Sequence, residues 1–333
     1  MEIKGILVSL LAPFEDHIAN GGEKLLGNAS SIKRRPDGRV YISGQMQRHV
    51  LFSAIDRLNN ADETKGDTFV SNGDGITDKI ESDLRADLGG FMHPSKGDYS
   101  GRRTAPLSVT PAVAMKESEV GRDLLMLLRV NTEGENANEQ AIATREFSQG
   151  DIMRMNFFLD ITSLSISKAY RYENSFNVAT VYYKHATEAE RKRRAELYLN
   201  ATRLMNDYAN QARNAVCGEP QQVIIVFDAI LSRKAARYFE AGEIERANIL
   251  KELDERKAKY FIGDDTTENS VLKAYNKALE FLKSNELYTC DSDDSKVRSF
   301  EDVYVNTKET KTTKTKKQEK KIDDTPSLFE YNV

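Results

Sequence analysis

The sequence predicts an α+β fold, a mostly antiparallel sheet with helices packed on one face of it, and three patterns carry that reading. Residues 3–12 form a short apolar run rich in branched side chains, the signature of a buried strand. Residues 152–170 place Met153, Met155, Phe157, Leu159 and Ile161 at a period of two, as one long strand would. Residues 44–58 instead space Met46, Val50, Leu51, Ala54, Ile55 and Leu58 as the apolar stripe of a helix.

The first run is followed by a polar, glycine-containing stretch that ends in Arg35-Pro36-Asp37-Gly38-Arg39. Proline presets φ there and glycine accepts a positive one, so a turn is expected. Val40, Tyr41 and Ile42 read as strand, and Ser43 or Gly44 opens the helix. From Asn59 to Ser108 periodicity fades among glycines and asparagines, leaving one short helix near 76–88 inside an insertion. A strand is expected near 106–116, and residues 131–140 read as the tip of a hairpin or loop. In the C-terminal half, 187–214 read as helical and 222–228 as a buried strand. Helices follow around 232–260 and 267–284. After about 290 the chain is rich in Asp, Ser, Thr and Lys with little to bury, and the pattern predicts a Lys-rich, mostly disordered tail over 291–333. This gives one domain over 1–290, with 59–105 inserted into it.

The 333 residues carry a net charge of −4. Within the tail, Lys308, Lys311, Lys314, Lys316, Lys317, Lys320 and Lys321 face only Glu309 and Glu319. That stretch holds +5 and leaves −9 on the rest. A nucleic-acid site on the body would therefore be a local basic groove on an acidic particle. No stretch approaches the roughly 20 apolar residues of a membrane helix. The opening Met-Glu-Ile-Lys runs straight into the first strand with no small-residue cleavage site, so a cytoplasmic protein without a secretory signal is expected. Cys217 and Cys290 are far apart and lack metal-site spacing.

Catalytic chemistry finds little support. His17, His49, His93 and His185 lie outside any nucleophile-elbow or HExxH context. Asn72, Asp74 and Asp78 suggest a calcium loop, but Glu81 comes too early for the bidentate ligand of an EF-hand. No phosphate-binding loop of the Walker type occurs, and no cofactor is expected. The local chemistry that stands out is cationic. Lys33, Arg34 and Arg35 are contiguous and cannot share one face, and Arg39 follows. Ser43, Gln45, Arg48 and His49 then surround the start of the helix, where free backbone N–H groups favour phosphate. Arg102 with Arg103 forms a second cluster, and Arg145 with Met153 and Arg154 a third. Apolar side chains beside arginine suit single-strand binding by stacking, although alternation on a strand is more often core. The charged run from Glu188 to Arg194 reads as a solvated helix face.

These clusters, in this order, carry a resemblance. The segments Gly27-Asn28 and Lys33-Arg34-Arg35, the stretch from Asp37 through Ile42-Ser43-Gly44-Gln45-Met46-Gln47-Arg48, and the stretch from Arg103 to Ala114 resemble the DevR-like (type I-B-like) branch of CRISPR-associated Cascade backbone subunits. Thr144-Arg145-Glu146-Phe147 is similar to the segment by which a thumb hairpin returns in that family. The resemblance covers roughly residues 1–230. It implies a hand with an RRM-like (ferredoxin-like) palm, a finger insertion over 59–105 and a thumb hairpin over 115–147. It implies a non-catalytic subunit that stacks with further copies of itself and with other Cascade subunits along CRISPR guide RNA. Such a subunit holds the RNA backbone, kinks it at intervals and presents it to target DNA. By this resemblance Asn28, Lys33, Arg34, Ser43, Gln45, Arg48 and Arg103 touch phosphates or riboses, and Met153 props kinked bases. Two other readings stay open: an RNA-cleaving type III-like backbone subunit using Asp16 or Asp37, and a regulator or scaffold that binds no RNA. Against the regulator, no helix-turn-helix pattern is present.

Overall fold

Residues 1–25, 29–72, 77, 79–94, 100–130, 138–173, 176–300 and 302–303 of a computed structural model are described below. The central strand β1 (Gly5–His17) is longer than the apolar run that predicts it, because its last turns carry polar residues on an exposed edge. Short strands β2 (Glu23–Lys24), β3 (Ala29–Ser31) and β4 (Tyr41–Ile42) lead to helix α1 (Gly44–Ala61). Ser43 caps this helix, its Oγ accepting from Met46 N at 3.2 Å. Helix α2 (Leu84–Gly89) and the pair β5 (Phe91–Pro94) and β6 (Ser100–Arg103) follow within the insertion. The strand expected near 106–116 is two pieces, β7 (Leu107–Val109) and β8 (Ala112–Ala114), separated at Thr110-Pro111.

Next come β9 (Val120–Val130) and β10 (Asn138–Asp160). At 23 residues β10 is about 75 Å long at the usual strand rise, and it serves two structures. Its C-terminal part pairs antiparallel with β1 on one side and with β7 and β8 on the other; its N-terminal part pairs with β9, from Asn138↔Val130 to Ser148↔Val120. The hairpin is thus continuous with the central sheet. The single strand expected over 152–170 ends at Asp160 instead. Asp160 Oδ1 accepts from Thr162 N and Oγ1, and Ser165 takes a left-handed φ of 55°. The chain then makes a separate hairpin of β11 (Ile166–Glu173) and β12 (Phe176–Lys184).

Helix α3 (Glu188–Arg203), strand β13 (Gln222–Asp228), a 3-10 turn (Lys234–Arg237), helix α4 (Glu243–Glu255), strand β14 (Lys259–Asp264) and helix α5 (Val271–Ser284) complete the order. The main sheet runs β14-β13-β1-β10, then β7 and β8; among the described strands only β3 joins it in parallel, beside β10. Even-numbered residues of β1 (Ile6, Val8, Leu10, Ala12) point into one core with Leu51 and Ile55 of α1, Tyr198 of α3 and Tyr275 of α5. The opposite face is also covered in part. Leu7, Phe158, Ile224 and Val226 pack there against Ala235, Ile249 and Leu253, so α4 and the 3-10 turn lie on the second face rather than the first. Fully burying one such aliphatic side chain is worth about 2 kcal/mol, which is why a helix settles on each apolar stripe.

The charged run on α3 is a correction. Arg191 and Arg194 are fully buried, not solvated. Arg191 donates to the carbonyls of Leu164, Ile161 and Tyr288 at 3.1, 2.9 and 2.7 Å, and so holds the turn after β10. Arg194 donates to Asp87 Oδ2 at 2.7 Å and to Ile80 O at 3.0 Å, and so holds the insertion. The chain just after residue 290 also packs on the body. Residues 291–300 form a packed strap: Lys184 Nζ donates to Asp294 Oδ1 at 2.7 Å, Arg298 N donates to Lys184 O at 2.9 Å, and Phe300 is buried with Ile80 and Ala86.

Candidate nucleic-acid interface

The turn at 35–39 closes as its residues require. Gly38 has φ +79° and its N–H donates to Arg35 O at 3.0 Å, while Arg35 N donates to Arg39 O at 2.9 Å. Because the flanking segment is extended, Arg34 and Arg35 leave it on opposite sides. Arg34 reaches the root of the β9–β10 hairpin, 3.9 Å from Glu146 Oε2, with its side chain 44% exposed. Arg122, opposite Glu146 across the hairpin, donates to Oε1 at 3.0 Å and stays 73% exposed. Two largely free guanidiniums therefore share one nearly buried carboxylate.

On the other side, Arg35 and Arg39 stand near Arg154, which lies on the outer face of β10. Burial lowers the pKa of Arg154; the nearby Arg35 and Arg39 add to this, and Glu240 opposes it. Glu240 pairs with Arg154 at 2.6 Å and with Arg39 at 4.0 Å, so one carboxylate again faces several cations. Asp37 is held by the Arg39 Nε at 2.7 Å, and that hydrogen bond keeps its carboxyl below the usual range.

A buried latch fixes the root between these two clusters. His17 Nε2 and Asp151 Oδ2 are 2.8 Å apart, Ser118 Oγ donates to Asp151 Oδ1 at 2.6 Å, and Val40 N donates to Ser118 Oγ at 3.0 Å. His17 Nδ1 accepts from Ala19 N at 3.4 Å, so both ring nitrogens are engaged within the latch. Beyond the root, Leu124, Met126 and Ile142 share one face of the hairpin and are 65%, 61% and 52% exposed.

The structure distributes the sequence-predicted residues unevenly. Lys33, Arg34, Arg35, Arg145 and Arg154 gather around the hairpin root. Lys33 gives its carbonyl to Asn20, and Arg145 donates to Asn210 Oδ1 at 3.1 Å. Ser43 and Gln45 are exposed at the start of α1, Ser43 with its oxygen committed to the cap. His49 is exposed 3.9 Å from Asp207. Arg48 turns inward: it donates to Gly89 O and lies 5.5 Å over the Phe52 ring, and burial lowers its pKa. Arg103 is 5% exposed, paired with Asp87 at 2.6 Å and donating to Ser163 O, so its charge serves the insertion's anchor. Met153 is fully buried in the core between β1 and β8, and packs there as a core side chain. Arg102 lies in β6 opposite Met92. Asn28, Asp74 and Asp78 lie outside the described residues. Among the described residues no three His, Cys, Asp or Glu side chains come together as a metal site would need, and no helix is long and apolar enough to cross a membrane. Sequence reasoning missed the pairing of Arg122 with Glu146, which depends on hairpin register, and that of Glu240 with Arg154, which depends on the chain after β13.

With this geometry in place, comparison with known proteins is informative. The family described as "CRISPR-associated negative auto-regulator DevR/Csa2" matches residues 26–217, more than half of the chain. This chain belongs to the DevR/Csa2 family. No curated protein sequence matches it. Among solved structures, a chain of a "CRISPR RNA-guided surveillance complex, pre-nicking" is 12% identical, with a TM-score of 0.51 over 84% of this chain and 99% of that one. A chain of a "CRISPR RNA-guided surveillance complex" is 15% identical, with a TM-score of 0.46 over 88% of this chain and 96% of that one. At such identities the likeness is one of fold. The family match spans the turn at 35–39, α1, the insertion, both hairpins and α3, and so takes in most of the candidate interface of this DevR/Csa2 chain.

Proposed function

We propose that this chain is a non-catalytic backbone subunit of a Cascade-type CRISPR complex, one that stacks with copies of itself and holds the phosphate backbone of guide RNA. The observation that carries the reading is the root of the β9–β10 hairpin. There, exposed Arg34 and Arg122 flank Glu146, and the hairpin beyond them bears an apolar face of Leu124, Met126 and Ile142. Cations at phosphate positions give sequence-independent affinity, and apolar side chains wedge beside or between unstacked bases. The sheet order β13-β1-β10-β7/β8, with α1 and α3 against one face, supports an RRM-like palm. In this reading 59–105 is the finger and β9–β10 the thumb. Leu124, Met126 and Ile142 prop the kinked bases, a role the family resemblance gave to Met153. Guide RNA then reads target DNA by pairing while protein holds its backbone.

The test is purification with the native partners and extraction of bound nucleic acid. A discrete short RNA with repeat-derived ends, held by several copies of the chain, is the expected result. Protein free of RNA, or carrying random fragments lost at moderate salt, overturns the proposal. Asp16→Asn and Asp37→Asn are expected to leave any target cleavage unchanged. A loss would favour the RNA-cleaving reading, although the ion pair of Asp37 with Arg39 already engages one candidate carboxylate.

A further inference from the structure

Glu146, at the root of the β9–β10 hairpin, is bonded lopsidedly. Arg122 lies directly opposite it and donates Nε at 3.2 Å and Nη2 at 3.0 Å, both to Oε1. A guanidinium meeting a carboxylate frequently gives one N–H to each oxygen. Here Oε2 is buried and accepts no hydrogen bond. Arg34 Nη2 is 3.9 Å from it, beyond hydrogen-bond length. The Glu146 side chain as a whole is 9% exposed. Asp87 and Asp151, also buried, each have both oxygens engaged. A buried acceptor is costly to leave unmet, so an orphan oxygen between two exposed arginines calls for a donor from outside the chain.

The three side chains together define that ligand. It must bring negative charge to two guanidiniums and, between them, a hydrogen-bond donor to a carboxylate oxygen. A simple anion fails the second demand, because it meets Glu146 with like charge. A ribonucleotide strand meets both, since each sugar carries a 2′-OH beside its 3′-phosphate. A strand without that hydroxyl offers Oε2 nothing and sets phosphates against a carboxylate.

We infer that Glu146 is a specificity residue: its Oε2 takes a ribose 2′-OH while Arg34 and Arg122 hold phosphates on either side, so this root admits RNA and disfavours DNA. This role rests on the nucleic-acid reading given above and adds the residue that tells the two sugars apart. Half-exposed Arg34 swings to the incoming phosphate and opens Oε2 to the sugar, while Arg122 keeps Oε1 and holds the carboxylate in place. A site that receives a hydroxyl binds the analogue lacking it poorly, because its own acceptor is then left bare. Leu124 and Thr144 are the next pair outward on the same face, so a sugar at Glu146 sets its base against the apolar part of the hairpin.

Binding of one short, unstructured sequence by the full-length chain, stripped of nucleic acid at high salt, tests this. The oligonucleotide is made as RNA, as DNA and as 2′-fluoro RNA, in which fluorine keeps the ribose-like pucker and removes the donor. RNA is expected to bind about tenfold more tightly than either of the others. Glu146→Ala is expected to weaken RNA and spare DNA, bringing the two within about twofold, whereas a merely structural role would weaken both alike. The 2′-fluoro comparison needs no variant, so it decides the matter even if Glu146→Ala does not fold. Equal affinity for RNA and 2′-fluoro RNA, or a folded variant that loses RNA and DNA alike, overturns the role of Glu146 and leaves the backbone reading standing. An intact chain that binds no RNA overturns that reading, and the role of Glu146 with it.

Discussion

The arginines of α3 and those at the root of the β9–β10 hairpin make an instructive pair. Arg191 and Arg194 have fully buried side chains, whereas Arg34 and Arg122 remain 44% and 73% exposed. Arg34 and the arginines of α3 come from charged runs that look alike in the sequence, whereas Arg122 stands apart from any such run. In α3 each guanidinium finds carbonyls and carboxylates enough to replace water; Asp87 accepts from Arg103, Arg194 and Ser165 and is held far below the usual carboxylate range despite its burial. At the hairpin root Arg34 and Arg122 share Glu146 and keep much of their surface in solvent, so their guanidiniums stay open to a further partner. The difference is one of partner supply, and only the tertiary structure sets that supply.

The strongest way to break this contrast is to remove a buried cation. Arg194→Ala leaves Asp87 short of a partner in a fully buried site, and such losses cost about 3–5 kcal/mol. A denaturant midpoint is expected to fall accordingly. A change under about 1 kcal/mol would mean that the network relaxes or hydrates, and that burial is not what separates the two groups.

The same region makes a pH prediction. Burial holds the His185 pKa down at about 4, against an ordinary value of 6.5, and the Arg103 charge adds to this. The unfolded chain takes up a proton as pH falls below about 6.5 while the folded one resists it. Stability is therefore whole above that pH and is lost as pH falls toward 4, by about 3 kcal/mol in the limit. His185→Gln is expected to flatten melting temperature against pH across this window; an unchanged slope would place the acid sensitivity elsewhere.

At the hairpin root the effect moves from stability to binding. Arg34→Ala with Arg122→Ala is expected to change stability by less than about 0.5 kcal/mol. Single-stranded RNA affinity should fall at least tenfold, and its log–log dependence on salt should become shallower by about 1.4 for two lost phosphate contacts. Unfolding of this variant would put these arginines in the same class as those of α3. The smallest expected effect sharpens the line between cap and contact. Ser43→Ala should cost about 1 kcal/mol of stability through the lost cap and leave RNA affinity unchanged.

These cases also mark what the sequence could tell. The apolar run of β1, the stripe of α1 behind its Ser43 cap, the isolated apolar block of β13 and the amphipathic α5 were all legible, because each writes its own periodicity. The break after β10 was not. The alternation continues past Asp160 into β11, and only the side-chain turn at Asp160 and the left-handed Ser165 divide the two hairpins. The cationic loop at 33–39 stood out by composition, yet which of its members face solvent followed from register. Arg48 and Arg103 looked equivalent to Arg34 until Gly89, Phe52 and Asp87 were seen to take them up. Met153 shows the reverse case, a period-two residue that is core after all.

The unbroken run of β10 from the central sheet into its hairpin has a mechanical consequence. A separate arm on a flexible joint would wander, but here arm and sheet share one backbone, braced by the His17–Asp151 latch at the junction. The arm is a cantilever of about ten residues, or about 33 Å. A tilt of about 5° at its root carries the tip through about 3 Å over that length, nearly the spacing of stacked bases. In the assembly proposed above, a repacking beneath the sheet would thereby alter the pitch at which successive copies stack, without touching the guide.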